Sequence, residues 1–398
     1  SGGGLSSYEV TTARSWNEGR PYTDLVYPPG YVIFLATGSK LVGSDLNRLR
    51  ILQGAIDSAT LAAVYVLAGT LGLTMPWALA AATTYAVLPL WAAGSTFLLA
   101  ESLTVPLLVW EMVFLAWASR ARTLWVSAAA GTWLGLSALV RPDLMLFVLP
   151  AAALVLTNRR RSPWLPLLAL VLAFAAVVGT WGLHNRRVHR AWVIGSTNRG
   201  ASLWEGLGEV KNNYGYVLDD SAANHFMAAH GYVWGSIPGN EYMTREYLKA
   251  WRDHTAFVAR VIAQRARLIL FWSDRLQPLF FGRVRGVLDA MGLIALLVAM
   301  WIRRREPSHL LMLAILPLYA LGSIGLVHYE ARYVRYVPVA YVLAALIVAS
   351  AAAAIVNRRW PRAAVVLSVC FLLGAASYTV RELAAIRAAA TMPERLNP

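Results

Sequence analysis

Long apolar runs separated by short polar breaks make up most of this chain from Leu49 onward. They predict membrane-spanning helices over 49–72, 76–94, 101–118, 123–140, 143–157, 164–183, 285–302, 308–327, 335–356 and 363–380. Most are near the roughly 20 apolar residues that cross a bilayer core. Ahead of them, Tyr31 to Val42 is apolar but too short to span. It predicts an interfacial helix begun by Pro28-Pro29 and ended near Gly43-Ser44-Asp45. One long polar interruption, 184–284, is rich in Trp and Tyr and therefore predicts an ordered cap rather than a disordered loop. Within it, Asp219-Asp220-Ser221-Ala222-Ala223-Asn224 reads as a helix start, and 240–272 as one or two amphipathic helices. No strong alternating strand pattern and no internal repeat is present. The expected fold is an all-α polytopic membrane protein with a small, mainly helical insertion. Its segments are 1–48, an N-terminal bundle 49–183, the cap 184–284, a C-terminal bundle 285–380 and a tail 381–398.

Charge turns this pattern into a topology. Ser119-Arg120-Ala121-Arg122, Asn158-Arg159-Arg160-Arg161, Arg303-Arg304-Arg305 and Asn357-Arg358-Arg359 fall on one side of the predicted spans, which makes that side cytoplasmic. Residues 1–48, Glu101, Arg141, the cap and His328 to Arg335 then share the outer face. The net charge of +15 does not point to nucleic acid, because the Arg clusters sit between apolar runs and act as topology signals. Hydrophobic residues make up 58% of the chain and charged ones 14%. Soluble domains carry roughly 25% charge. The single Cys370 excludes an intrachain disulfide and a Cys-based zinc site. The first residues, Ser1-Gly2-Gly3-Gly4, do not read as a signal peptide, and the start is expected to be trimmed.

Candidate chemistry gathers on the outer face. Glu101 begins an apolar helix, where it either caps the first turn or serves a function. Arg141-Pro142-Asp143 marks the junction of two spans. Its guanidinium can bind a phosphate through two parallel hydrogen bonds, or can snorkel and pair with Asp143. In His328-Tyr329-Glu330-Ala331-Arg332-Tyr333-Val334-Arg335-Tyr336, helical spacing would put His328, Arg332, Arg335 and Tyr336 on one face and separate Glu330 from Arg332. Such a face suits a phosphate or diphosphate; the other reading is an interfacial aromatic and basic belt. No histidine cluster has zinc spacing; His328 with Glu330 is the one pair worth testing for a cation. Asp57, Glu111 and Asp289 lie singly inside spans and read as structural contacts within the bundle.

The order of these pieces resembles a known family. Tyr8-(x)4-Ala13-Arg14-Ser15-Trp16-(x)2-Gly19-(x)2-Tyr22-(x)4-Tyr27-Pro28-Pro29-Gly30-Tyr31 resembles the first outer loop of GT-C membrane glycosyltransferases. Among these, the chain resembles the bacterial dolichyl-phosphate-mannose protein mannosyltransferase-like proteins of glycosyltransferase family 39 and their aminoarabinose-transferase relatives. Ala100-Glu101-Ser102-Leu103, Ala138-Leu139-Val140-Arg141-Pro142 and His328-Tyr329-Glu330-Ala331-Arg332-Tyr333 resemble three further family elements. So does Gly182-Leu183-His184-Asn185-Arg186 followed by Ser196-Thr197-Asn198-Arg199-Gly200-(x)3-Trp204-(x)1-Gly206. The likeness covers nearly the whole chain.

The resemblance implies a GT-C-like bundle of about ten transmembrane helices, the family's first helix being absent, in the cytoplasmic (inner) membrane of a bacterium. It implies inverting transfer of a sugar from a polyprenyl-phosphate donor to a lipid, glycan or protein acceptor, with no required cofactor or metal. Arg141, His328, Arg332, Tyr333 and Arg335 would bind the donor phosphate. In the family a catalytic Asp lies just before the tyrosine matching Tyr8, where this chain has Gly4-Leu5-Ser6-Ser7. Three explanations stand side by side. The native start carries the acid, Glu9 or Asp24 replaces it, or transfer activity is lost. Glu101 is the further acidic candidate, as base or as donor-positioning group. The rival classes are a membrane transporter and a catalytically degenerate lipid-phosphate-sugar binding protein on the same bundle.

Overall fold

A computed structural model describes residues 7–20, 22–87, 91, 97–120, 123–157, 162–271 and 282–359. Among them the chain is helical. The N-terminal segment forms α1 (Ser7–Asn17), unforeseen in the sequence, and α2 (Gly30–Val42), the expected short helix. Asn17 ties the two by donating to Ala36 O at 3.1 Å and to Ser39 Oγ at 2.7 Å. Asp45 then caps α3 (Leu46–Ser58) through Asn47 N and Arg48 N, and α4 (Thr60–Thr70) continues it after Ala59. The bundle adds α5 (Met75–Val87), α6 (Ala100–Ala118), α7 (Leu124–Val140), a 3-10 turn at Pro142–Phe147, α8 (Val148–Leu156) and α9 (Trp164–His189).

Among the described residues, four stretches are long and apolar enough to cross a membrane: Leu46–Thr70, Ala100–Ala118, Trp164–His189 and Val337–Val356. The chain is a multi-pass membrane protein. Leu165 and Leu172, 61% and 59% exposed on α9, make an apolar outer surface that only lipid satisfies. The predicted 143–157 span opens as a 3-10 turn, because Pro142 follows the extended Arg141 and interrupts the helix. α9 runs past its expected end at 183 and stops at Arg190, whose φ of 55° is left-handed. The predicted 363–380 span, the tail and part of 76–94 lie outside the described residues.

The cap segment folds as α10 (Arg199–Glu205), a 3-10 turn at Gly206–Glu209, α11 (Asp220–Ala229), α12 (Ile237–Asp253) and α13 (Thr255–Phe271). Asp219 caps α11 through Ser221 N, at the start that its Asp-Asp-Ser pattern predicts. Two small aromatic cores hold the cap, one around Tyr247 and Phe257 and one around Trp204 and Met243. Then follow α14 (Gly282–Ile302), α15 (Pro307–Ser323), a 3-10 turn at Ala331–Val334 and α16 (Val337–Arg359).

The main core joins α4 to α8 with α15 and α16; a second core joins α1, α2 and α3 to the start of α6 and to Trp181. Gly30 lets that second core close, since a Cβ there would stand 2.5 Å from Leu139 O near the end of α7. The N-terminal segment is thereby laid against the helix end that carries Arg141.

Candidate active site

The site begins with one carboxylate and two guanidiniums from three separate segments. Glu101 stands in the first turn of α6, where the helix dipole favours a negative charge. Arg141 ends α7 in extended backbone and turns its guanidinium inward. Its Nη1 is 3.3 Å from Glu101 Oε1, and its Nε donates to Asp143 Oδ1 at 2.8 Å. Arg332, in the 3-10 turn before α16, brings Nε to 3.8 Å from the same Glu101 oxygen. Arg141 also lies 4.4 Å over the Tyr333 ring, a cation–π contact that fixes its plane.

Behind Arg332 stands a chain of charge reaching into the cap. Glu330 pairs with Arg332, and its Oε1 accepts from Arg332 Nη2 at 3.0 Å and from Tyr333 OH at 3.4 Å. His328 bridges Glu330, 3.4 Å from Nε2, and Glu209, 2.9 Å from Nδ1. Glu209 also accepts from Tyr329 N at 2.7 Å and from Arg265 Nε at 2.8 Å, and Arg265 is wholly buried. Burial pulls the His328 pKa down, but hydrogen bonds to Glu209 and Glu330 outweigh it and raise it to about 9. Burial acts against both carboxylates too, yet the His328 hydrogen bond with Arg265 beside Glu209 and Arg332 beside Glu330 holds both below the usual range.

Carboxylates collect on the other flank. Burial, then the charges of Glu9, Asp220, Glu101 and Asp24, push Tyr27 up to about 12. Burial followed by the neighbouring Asp220 raises Glu205 in the cap to about 8. Asp24 accepts from Val26 N at 2.7 Å, and burial lifts its pKa above the ordinary value. It lines a cavity of about 540 Å³ between α1, the loop after it, His189 and the cap loop at Trp234-Gly235.

Residues 26–181 match the family model described as dolichyl-phosphate-mannose-protein mannosyltransferase. The chain has the GT-C fold. The solved oligosaccharyltransferase of Archaeoglobus fulgidus, in complex with Zn and sulfate, shares 13% identity at a TM-score of 0.58, covering 94% of this chain and 48% of that one. The oligosaccharyltransferase AglB of the same archaeon, with an inhibitory peptide and a dolichol-phosphate, shares 14% identity at a TM-score of 0.55, covering 94% of this chain and 51% of that one. ArnT of Cupriavidus metallidurans bound to undecaprenyl phosphate is similar at 14% identity over 88% of this chain and 74% of that one, with a TM-score of only 0.36. The chain spans about half the length of the archaeal enzymes it matches. No curated protein sequence matches it.

On this GT-C scaffold the start of α6, the end of α7 and the segment before α16 bring Glu101, Arg141, His328, Arg332 and Tyr333 together. The helical face expected over 328–336 is corrected. Residues 328–330 are non-helical, with Glu330 extended, and 331–334 form a 3-10 turn, so Glu330 and Arg332 pair instead of diverging. Arg335 turns to a different side of Glu101. It lies over Phe97 at 5.4 Å and lines a narrow cleft with Asp57, Tyr85 and Glu101. Tyr336 is wholly buried beside Tyr319. Glu9 is buried on the inner side of α1; it and Asp24 join Glu101 in acting on Tyr27.

Of the intramembrane acids, Asp57 accepts from Tyr85 OH at 2.7 Å. Glu111 is wholly buried with no hydrogen-bond partner for either oxygen among the described residues, and the Asp289 side chain lies outside them. No group of three metal-ligating side chains is arranged to hold an ion among the described residues. Glu205, Glu209 and Arg265 escaped the sequence reading. A signal existed for the first, since Glu205 is the unspecified residue between Trp204 and Gly206 in the family-like passage.

Proposed function

We propose that this chain is an inverting glycosyltransferase of the extracytoplasmic face, moving a sugar from a polyprenyl-phosphate donor to an acceptor hydroxyl in a bacterial cytoplasmic membrane. The observation that carries the reading is Glu101 held between Arg141 and Arg332, guanidiniums from segments far apart in sequence. Two such cations at the outer helix ends suit a lipid phosphate whose tail lies between helices. Glu101, already engaged by both, acts as the keystone that positions them. Asp24 is the base: burial raises its basicity, and it faces a cavity open to an acceptor.

The acceptor oxygen attacks the anomeric carbon as its proton passes to Asp24. The bond from that carbon to the phosphate oxygen breaks, and the electron pair leaves with polyprenyl phosphate. Arg141 and Arg332 receive the added charge, so the leaving group needs no proton and the site no metal or cofactor. His328, Glu330 and Tyr333 hold Arg332 in place, and Glu9 has no step.

The test is release of polyprenyl phosphate by purified protein in nanodiscs supplied with a panel of polyprenyl-phosphate sugars. Arg141→Ala is expected to lower kcat by about 10²–10³-fold, the effect of removing one group that stabilises developing negative charge. Asp24→Asn is expected to abolish turnover while donor binding persists. Turnover unchanged in both variants overturns the reading, and wild-type donor binding without turnover leaves the binding-protein alternative.

A further inference from the structure

The 540 Å³ cavity beside Asp24 falls within the roughly 300–1,000 Å³ of small-molecule sites. Its walls combine two kinds of surface. Tyr8, Trp16, Tyr22 and Trp234 supply aromatic rings, and Trp234 and Tyr8 are 37% and 44% exposed. Between them stand Asp24, Arg20, His189 and the hydroxyls of Thr12 and Ser15. Tyr8 is near enough to Asp24 to favour its charged form. Even so, Asp24 Oδ2 and His189 Nε2 are buried with no hydrogen-bond partner of full geometry among the described residues. A native fold seldom leaves such groups unmatched without a use for them. Aromatic faces alternating with a carboxylate, a cation and hydroxyls match a ring whose C–H face is apolar and whose edge is hydroxylated.

The wall is also held ready. Trp234 Nε1 donates to Asn198 Oδ1 at 3.0 Å, Thr197 N to Leu25 O at 3.0 Å, and Thr197 Oγ1 to Gly235 O at 2.7 Å, while Ser196 Oγ donates to Val26 O. These bonds stitch the first outer loop to the cap, and pre-organisation of this kind lowers the cost of binding. They also occupy the loop's carbonyls, which a peptide adding along that edge would need.

We propose that this cavity is a saccharide subsite, so that the acceptor hydroxyl belongs to a glycan. As acceptor site it rests on the transfer reading above; as binding site it stands on the cavity alone. The test uses donor-free protein in nanodiscs, with tryptophan fluorescence and saturation-transfer NMR. The probes are mannobiose, cellobiose, maltotriose, an arabinofuranose disaccharide and a capped Ser/Thr decapeptide. At least one saccharide is expected to bind, at least about 10-fold more weakly in Trp234→Ala, with the thermal midpoint of that variant measured to separate lost contact from lost folding. Arg141→Ala should retain saccharide binding, which separates a failure of donor chemistry from a failure of this subsite. The proposal is overturned if no saccharide binds wild type, if Trp234→Ala and Asp24→Asn both bind as wild type does, or if only the peptide binds.

Discussion

Glu209→Gln removes one negative charge from a site that three donors share. In the wild type, Arg265 Nε, His328 Nδ1 and Tyr329 N all point at its two oxygens, at 2.8, 2.9 and 2.7 Å. Glutamine keeps one acceptor oxygen and turns an NH₂ toward at least one of the donors. Arg265, whose side chain is 1% exposed, then loses its counter-ion in a buried site. Breaking one half of a buried pair costs about 3–5 kcal/mol, because the remaining charge has no solvent to return to. At roughly 2 °C per kcal/mol, the lower end for large chains, the thermal midpoint falls by roughly 6–10 °C. The assay is thermal unfolding in one detergent at one scan rate for Glu209→Gln, Arg265→Met and the double variant. Because the pair costs desolvation as well as yielding attraction, the double variant should recover much of the loss. Strictly additive midpoints, or a single variant that melts with wild type, would refute the coupling of Glu209 to Arg265.

Three further outcomes follow from the same geometry. His328, raised from 6.5 to about 9, binds its proton more tightly folded than unfolded. Its contribution of about 3 kcal/mol is full below pH 6.5 and disappears as pH rises through 9, so midpoints measured across that window should decline, and less steeply in Glu209→Gln. Glu205, raised to about 8, makes the folded state lose stability as pH climbs above the ordinary carboxylate range. Glu205→Gln should therefore raise the midpoint at pH 9 and change it little at pH 4; equal shifts at both values would disprove the assignment. Gly235 has φ +74° and room for no side chain, a Cβ there standing 2.5 Å from Val26 Cγ2. Gly235→Ala should cost about 1–2 kcal/mol of backbone strain and weaken saccharide binding, as titration of the same probes would reveal.

The order of helices was legible in the sequence because burial in lipid imposes a local rule: a run of apolar residues of sufficient length. Tyr31 to Val42 was too short for that rule and folds as the separate helix α2. Asp219 announces α11 because an N-cap needs only its own next residues. Glu101, Arg141, His328 and Arg332 could be named as candidates because charges at the ends of apolar runs are conspicuous. Which of them meet is another matter. Glu101 collects Arg141 and Arg332 from two other segments, and Glu209 lies 119 residues from His328 and 56 from Arg265. The 328–336 segment carries helical spacing, yet the ion pair of Glu330 with Arg332 accompanies an extended residue and a 3-10 turn. The saccharide-sized cavity is assembled from α1, its following loop, the end of α9 and the cap, none of which signals it alone. Hydrophobic length is a property of consecutive residues, whereas ion pairs and cavities exist only after distant segments have packed. Consecutive residues were therefore enough to indicate a helical membrane bundle and many of the candidates, while packing decided which of them meet and brought in Glu209 and Arg265.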